Sequence, residues 1–138
     1  MRIISPQRYL GGVLDMVNAL RKGEVVSMMG DRRYGSRALE VSFLGERAWF
    51  PYSAFSLAAA AECPVVVLHA FKASADRYVV DLSNVIYPRW ERRGDRVRQL
   101  QPWVQEFVRL LESFVEVYPY QCFLFRDVWK KEASGAAA

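Results

Sequence analysis

An α/β domain with a mostly parallel central sheet flanked by helices is the fold class this sequence predicts, on three observations. Helical and extended apolar periods alternate along the chain in the order helix, strand, loop, helix, strand. Two short apolar runs, 24–29 and 64–71, have the length and valine content of buried strands. Between them stands an alanine-rich, nearly uncharged segment where a right-handed crossover helix would run. The chain has 138 residues, 52% hydrophobic and 14% aromatic, enough to bury one core. A single domain over residues 1–132 is expected, with a disordered Ala-rich tail at 133–138.

Each element has its own signal. Over 6–22, Leu10, Val13, Leu14, Val17 and Leu20 recur at helical spacing; Ser5 is placed to cap, Pro6 to start and Gly23 to stop the helix. Val25 to Met28 reads as a buried strand closed by Gly30. After a polar loop, Leu39, Val41 and Phe43 alternate with Glu40 and Ser42, and Ala48 to Phe50 follows a turn at Gly45, which predicts an extended pair at a sheet edge. Residues 52–62, with alanines at 54, 58, 59, 60 and 61, predict a helix packed closely on a sheet. Pro64 to Phe71 is the strongest strand, its three consecutive valines suiting burial on both faces beside Val25 to Met28. Tyr78 to Leu82 is a further strand. Val97, Leu100, Trp103, Phe107, Leu110, Leu111, Phe114 and Tyr118 then stripe a long helix ended by Pro119, with Pro102 early in it or at its true start.

Composition excludes several function classes. The longest apolar stretch is broken by Ser53, Ser56, Glu62 and Pro64, far short of the twenty or so residues that span a bilayer. The first residues, with Arg2, Ser5, Pro6 and Gln7, do not form the apolar core of a secretory signal. Cys63 and Cys122 are too few for a disulfide framework and are expected as reduced thiols. One histidine leaves no zinc-ligand cluster. The phosphate-binding Gly-Lys-Ser/Thr loop and the nucleophile-elbow serine or cysteine are missing. His69, near Asp76 and Asp81 in sequence, fits a hydrogen-bonded structural role better than a general base.

The charge balance is +4 overall but uneven. Arginines crowd at 32, 33 and 37, and again at 89, 92, 93, 96 and 98; each group suits anions, or simply forms a solvated face. The sharper site is the loop from Gly30 to Arg37. It sets turn-forming glycines, one carboxylate and three guanidiniums directly after the expected strand, where open α/β sheets bind ligands. Arginine forks match phosphate oxygens, so Asp31, Arg32, Arg33, Gly35 and Arg37 are the candidate substrate-binding residues. Asp31 is expected to brace Arg33 or Arg37, with at least one of the three arginines left exposed.

The order Gly23-Glu24-Val25-Val26, Gly30-Asp31-Arg32-Arg33-Tyr34-Gly35, Phe43-Leu44-Gly45-Glu46-Arg47-Ala48, Pro51, Leu57-Ala58 and Cys63-Pro64-Val65-Val66 resembles the second half of the bacterial lipid A biosynthesis acyltransferases, the lauroyl and myristoyl transferase branch of the glycerolipid acyltransferase superfamily. Tyr118-Pro119-Tyr120-Gln121, then Phe123, Phe125, Trp129 and Lys130, is similar to that family's closing Pro-x-Gln-Trp-x-Trp segment and final Trp-Lys, with Cys122 and Leu124 where tryptophans usually stand.

The resemblance implies a partial acyltransferase-like fold and transfer of a fatty acyl chain from an acyl carrier protein or coenzyme A thioester to a hydroxyl of a phosphorylated glycolipid. It implies no cofactor, and an anionic membrane surface rather than nucleic acid as partner. It places the full-length protein in the cytoplasm, peripheral at the inner face of the bacterial inner membrane. The family works through a His-x4-Asp motif, which this sequence lacks: the fifth residue after His69 is Ser74. The chain therefore reads as the C-terminal, substrate-binding part of such an enzyme, with no catalytic residue of its own. The alternative is a non-catalytic module for anionic lipid or protein that retains the fold.

Overall fold

A computed structural model describes residues 4, 12–32, 37–91, 93–124 and 126–130. Helix α1 (Val13–Arg21) is followed in the chain by strands β1 (Ala38–Phe43) and β2 (Glu46–Pro51). Helix α2 (Ser53–Ala61), strands β3 (Val65–Lys72) and β4 (Tyr78–Ile86), a short α3 (Arg96–Gln99) and the long α4 (Gln101–Val117) complete the order. A 3-10 turn at Pro119–Gln121 leads into the last described residues.

The strands form two antiparallel hairpins, β1 with β2 and β3 with β4. The first turns at Leu44 (φ 53°) and Gly45 (φ 81°), the two positive φ values that a tight hairpin turn of the right twist demands. The extended pair read from the alternation at 39–43 and 48–50 is therefore present. Helix α4 lies across both hairpins. Its buried Val104, Val108 and Leu111 join Val41, Phe43, Ala48 and Phe50 from the first hairpin, Phe55 and Ala59 from α2, and Val67 and Ile86 from the second in one core.

Helix α4 also closes a strand edge. The Gln105 side-chain carbonyl accepts from Ser42 N at 2.8 Å, and its amide donates to Ser42 O at 2.9 Å. Gln101 donates to Glu40 O and Glu112 accepts from Leu44 N. Three polar side chains one helical turn or more apart thus do for β1 what a neighbouring strand would do. Gln121 repeats the device at the end of β3, accepting from Lys72 N at 2.7 Å and donating to Lys72 O at 3.2 Å.

The mostly parallel central sheet is not what the described residues form. Residues 24–29 make no strand, and Val25 is 95% exposed. Strand β3 pairs instead with β4, reached through residues 73–77, a connection short enough for a hairpin and too short for the crossover that parallel pairing requires. Nor are the valines of β3 buried on both faces. Val67 is buried, but Val66 is 50% and Leu68 59% exposed, because α4 covers only one side of this hairpin.

The helices follow their signals with adjustments. Of the expected 6–22 helix, α1 occupies the second half and ends where Gly23 takes φ +77°; Ser5, Pro6 and Leu10 lie outside the described residues. Helix α2 ends at Glu62 in the left-handed conformation and buries Phe55, Leu57, Ala58 and Ala59, as its composition requires. Pro102 marks the true start of α4, after a break at Leu100. Of the expected stripe Leu100 and Leu111 are buried, but at its middle Val104 and Val108 are fully buried while Trp103 and Phe107 lie at the margin of the core. The tail at 133–138 lies outside the described residues.

Candidate functional site

Gly30 sets the position of the loop that follows it. A β-carbon on Gly30 would fall 2.7 Å from the ring of Phe107 on α4, so no larger residue allows the backbone this approach. Phe107 is itself held in an aromatic cluster with Phe50 and Phe55, at centroid distances of 6.5 and 5.9 Å. The residues after Gly30 therefore leave from a fixed point on the core.

Directly after it, Asp31 and Arg32 form one wall of a cleft of about 270 Å³; Leu124, Arg126 and Val128 form the rest. The second wall is as firmly held. Trp49 N on β2 donates to Val128 O at 2.7 Å, Trp129 stacks on Phe43 at 5.8 Å, and Asp127 accepts from Trp129 N and pairs with Lys130. Two guanidinium-bearing residues and one carboxylate thus rim an apolar floor of Leu124 and buried Val128. That arrangement suits an amphipathic anion, with charge at the rim and hydrocarbon on the floor. Small-molecule sites usually enclose about 300–1,000 Å³, so the cleft lies at the small end of that range.

Asp31 also bears on Cys122. Burial pushes the thiol of Cys122 above the ordinary cysteine range, and the nearby Asp31 carboxylate pushes it further in the same direction. At neutral pH Cys122 is a thiol, poor as a nucleophile or metal ligand. Both cysteines are free.

Of the residues chosen from sequence, the structure brings Asp31 and Arg32 together at the cleft and leaves Arg32 and Arg37 exposed. Arg33 and Gly35 lie outside the described residues. Among the described residues Asp31 makes no ion pair with Arg37, and the other brace expected for it, with Arg33, lies outside the described residues. Sequence reasoning missed Leu124, Arg126 and Val128 because they stand more than ninety positions away. The signal for them was the closing segment, whose residues were read for resemblance and not for a place beside the loop.

His69 takes no part in the cleft. Its ring stacks on Phe114 at 4.8 Å, and it sits opposite Asp81 in the β3–β4 register. Its buried Nε2 has no hydrogen-bond partner, which corrects the expectation of a hydrogen-bonded histidine. Among the described residues no three His, Cys, Asp or Glu converge as a metal site, and no helix is long and apolar enough to cross a membrane.

Comparison with curated proteins and with solved structures finds no match. The sequence model of one family, bacterial lipid A biosynthesis acyltransferase, matches residues 3–131. That match takes in both walls of the cleft and nearly the whole chain, and the chain belongs to the bacterial lipid A biosynthesis acyltransferase family.

Proposed function

We propose that the chain is the substrate-binding, C-terminal part of an acyltransferase that moves a fatty acyl group from a thioester carrier to a hydroxyl of a phosphorylated glycolipid. The cleft carries this reading. Arg32 and Arg126 at its rim match phosphate oxygens, and Leu124 and Val128 offer the first methylenes beyond the head group an apolar floor. Arg37, exposed where the chain enters β1, adds to the cationic rim. Asp31 keeps the site from being uniformly cationic and can accept from an acceptor hydroxyl.

In such an enzyme a base must take the acceptor hydroxyl's proton while the alkoxide attacks the thioester carbonyl and the thiol leaves. This chain's sole histidine is tied to Phe114 and away from the cleft lining, so its part is to hold the acceptor and not to activate it. The bare face of the β3–β4 hairpin supports the same reading. Val66, Leu68, Val80 and Leu82, each at least half exposed, make an apolar strip of the kind a further, catalytic portion of chain would cover.

The test is titration with a phosphorylated glycolipid, with its dephosphorylated form as control. The chain should prefer the phosphorylated form, and replacing Arg32 and Arg126 together by glutamine should weaken binding by about tenfold to a hundredfold, as for two charge-assisted contacts at a partly exposed site. Equal affinity for both forms, or unchanged affinity in a folded double variant, would remove the role given to the cleft.

A further inference from the structure

The second wall of the cleft is a stretch of chain slung between the two hairpins. Its far end is fixed on the first, where Trp49 N on β2 donates to Val128 O at 2.7 Å and Trp129 stacks on Phe43. Its near end leaves α4 by way of the 3-10 turn Pro119–Gln121. Tyr118 stacks on Phe71 of β3 at 4.2 Å, and its carbonyl accepts from Gln121 N, which settles where α4 stops but not where the chain goes next. That falls to the Gln121 side chain, which accepts from Lys72 N at 2.7 Å and donates to Lys72 O at 3.2 Å. One planar amide thereby spans both main-chain groups of a single strand residue. The anchor is itself held, since Lys72 faces Tyr78 in the register and its Nζ lies 5.9 Å from the centre of that ring.

Sealing an edge does not account for this bridge. Residues 72–78 are all exposed, so water reaches the same groups and the two bonds add only modestly to stability. Their consequence for the following chain is larger. Cys122 comes next, half-buried, and the Asp31 carboxylate is close enough to act on its thiol, so the segment meets the Gly30 loop directly after the bridge. Leu124 and Arg126 then line the cleft with Asp31 and Arg32. We propose that Gln121 is a positioning residue for the cleft: by clamping the closing segment to the end of β3, it fixes where Leu124 and Arg126 stand relative to Asp31 and Arg32. It is not among the residues that line the cleft and acts through those that do. The inference rests on the function proposed above only for what the cleft binds.

Cys122 reports the placement of the wall without any ligand. With Cys63 changed to serine, Cys122 is the one thiol left, and its labelling by N-ethylmaleimide under native conditions measures how firmly the segment is held. Gln121→Met removes both bonds at nearly constant length and should raise the labelling rate about fivefold or more; Gln121→Glu, which keeps the acceptor for Lys72 N, should raise it less. Gln105→Met breaks the same kind of bridge at β1 and should leave the rate within about twofold of the parent, which separates placement of the wall from general loss of stability. A parental rate in Gln121→Met, or an equal rise in Gln105→Met, would overturn the proposal. The second arm is titration with phosphorylated and dephosphorylated glycolipid, in which Gln121→Met should reduce the parent's preference for the phosphorylated form by about fivefold or more. An unchanged preference would also overturn it. A parent that shows no preference would instead remove the function proposed for the cleft, and the labelling rates would still decide what Gln121 does.

Discussion

His69 shows how one side chain sets a pH dependence. Burial against Phe114 holds its imidazole below the ordinary histidine range, and the facing Asp81 carboxylate offsets only part of that. The unfolded chain therefore takes up the proton more readily than the folded one. Stability from this residue is fully present above the unfolded value near 6.5 and is lost as pH falls from there through the lower folded value. Asp81 acts in a separate window: hydrogen bonds from Ser83 keep its carboxyl below the usual aspartate range, so its contribution disappears only at more acid pH. Melting temperature should thus decline between pH 7 and pH 5. His69→Phe keeps a ring on Phe114, removes the unpartnered Nε2, and should flatten that decline while melting no lower than the parent at pH 7. A parallel decline in the variant would assign the pH dependence to other groups.

At the scale of elements, the contact between α4 and β1 is the junction most open to measurement. Gln105→Met keeps side-chain length and helix propensity but leaves Ser42 N and O without their protein partner. Each lost bond costs about 0.5–1.5 kcal/mol where water can enter in part, so chemical denaturation should show a loss of about 1–3 kcal/mol. Gln105→Glu, which keeps the acceptor for Ser42 N, should lose less. A loss below 0.5 kcal/mol for Gln105→Met would mean that water seals the edge as well as the helix does.

The same junction explains what was legible in the sequence. Alternation at 39–43, the Gly45 turn and the alanines of α2 are local signals, and each predicted its element. Strand pairing is not local: three valines at 65–67 announce a strand but not whether its partner lies before it or after it. A run such as Val25 to Met28 has strand composition, but among the described residues no strand pairs with it, and Val25 and Met28 are exposed. On α4 the departure is confined to the middle of the stripe: Leu100 and Leu111 are buried, while packing against two hairpins favours the small Val104 and Val108 over the large aromatics at 103 and 107. For the site, the loop half was legible from its arginines, whereas Leu124, Arg126 and Val128 needed the fold to bring the closing segment back to Asp31.

At the scale of the whole molecule, the described residues hold a cleft whose lining includes the Asp31 carboxylate, held as an acceptor of hydrogen bonds, but not the sole histidine. The isolated chain should therefore release no thiol from an acyl thioester above the buffer rate, with or without a glycolipid acceptor. General-base catalysis alone is worth about a hundredfold to ten thousandfold, and orienting donor against acceptor contributes on the order of 7–11 kcal/mol more. The measurement is thiol release followed with a chromogenic disulfide, with Cys63 and Cys122 changed to serine so that the protein's own thiols add no signal. His69→Phe distinguishes the outcomes. Turnover that survives it would mean a base outside the sole histidine and would end the reading of a chain that binds without reacting. Turnover that disappears with it would make His69 itself the base, which its stacking on Phe114 and its buried, unpartnered Nε2 argue against. A rate at the buffer level, in a chain that still binds phosphorylated glycolipid, is the result that its charge, its core and its single misplaced imidazole require.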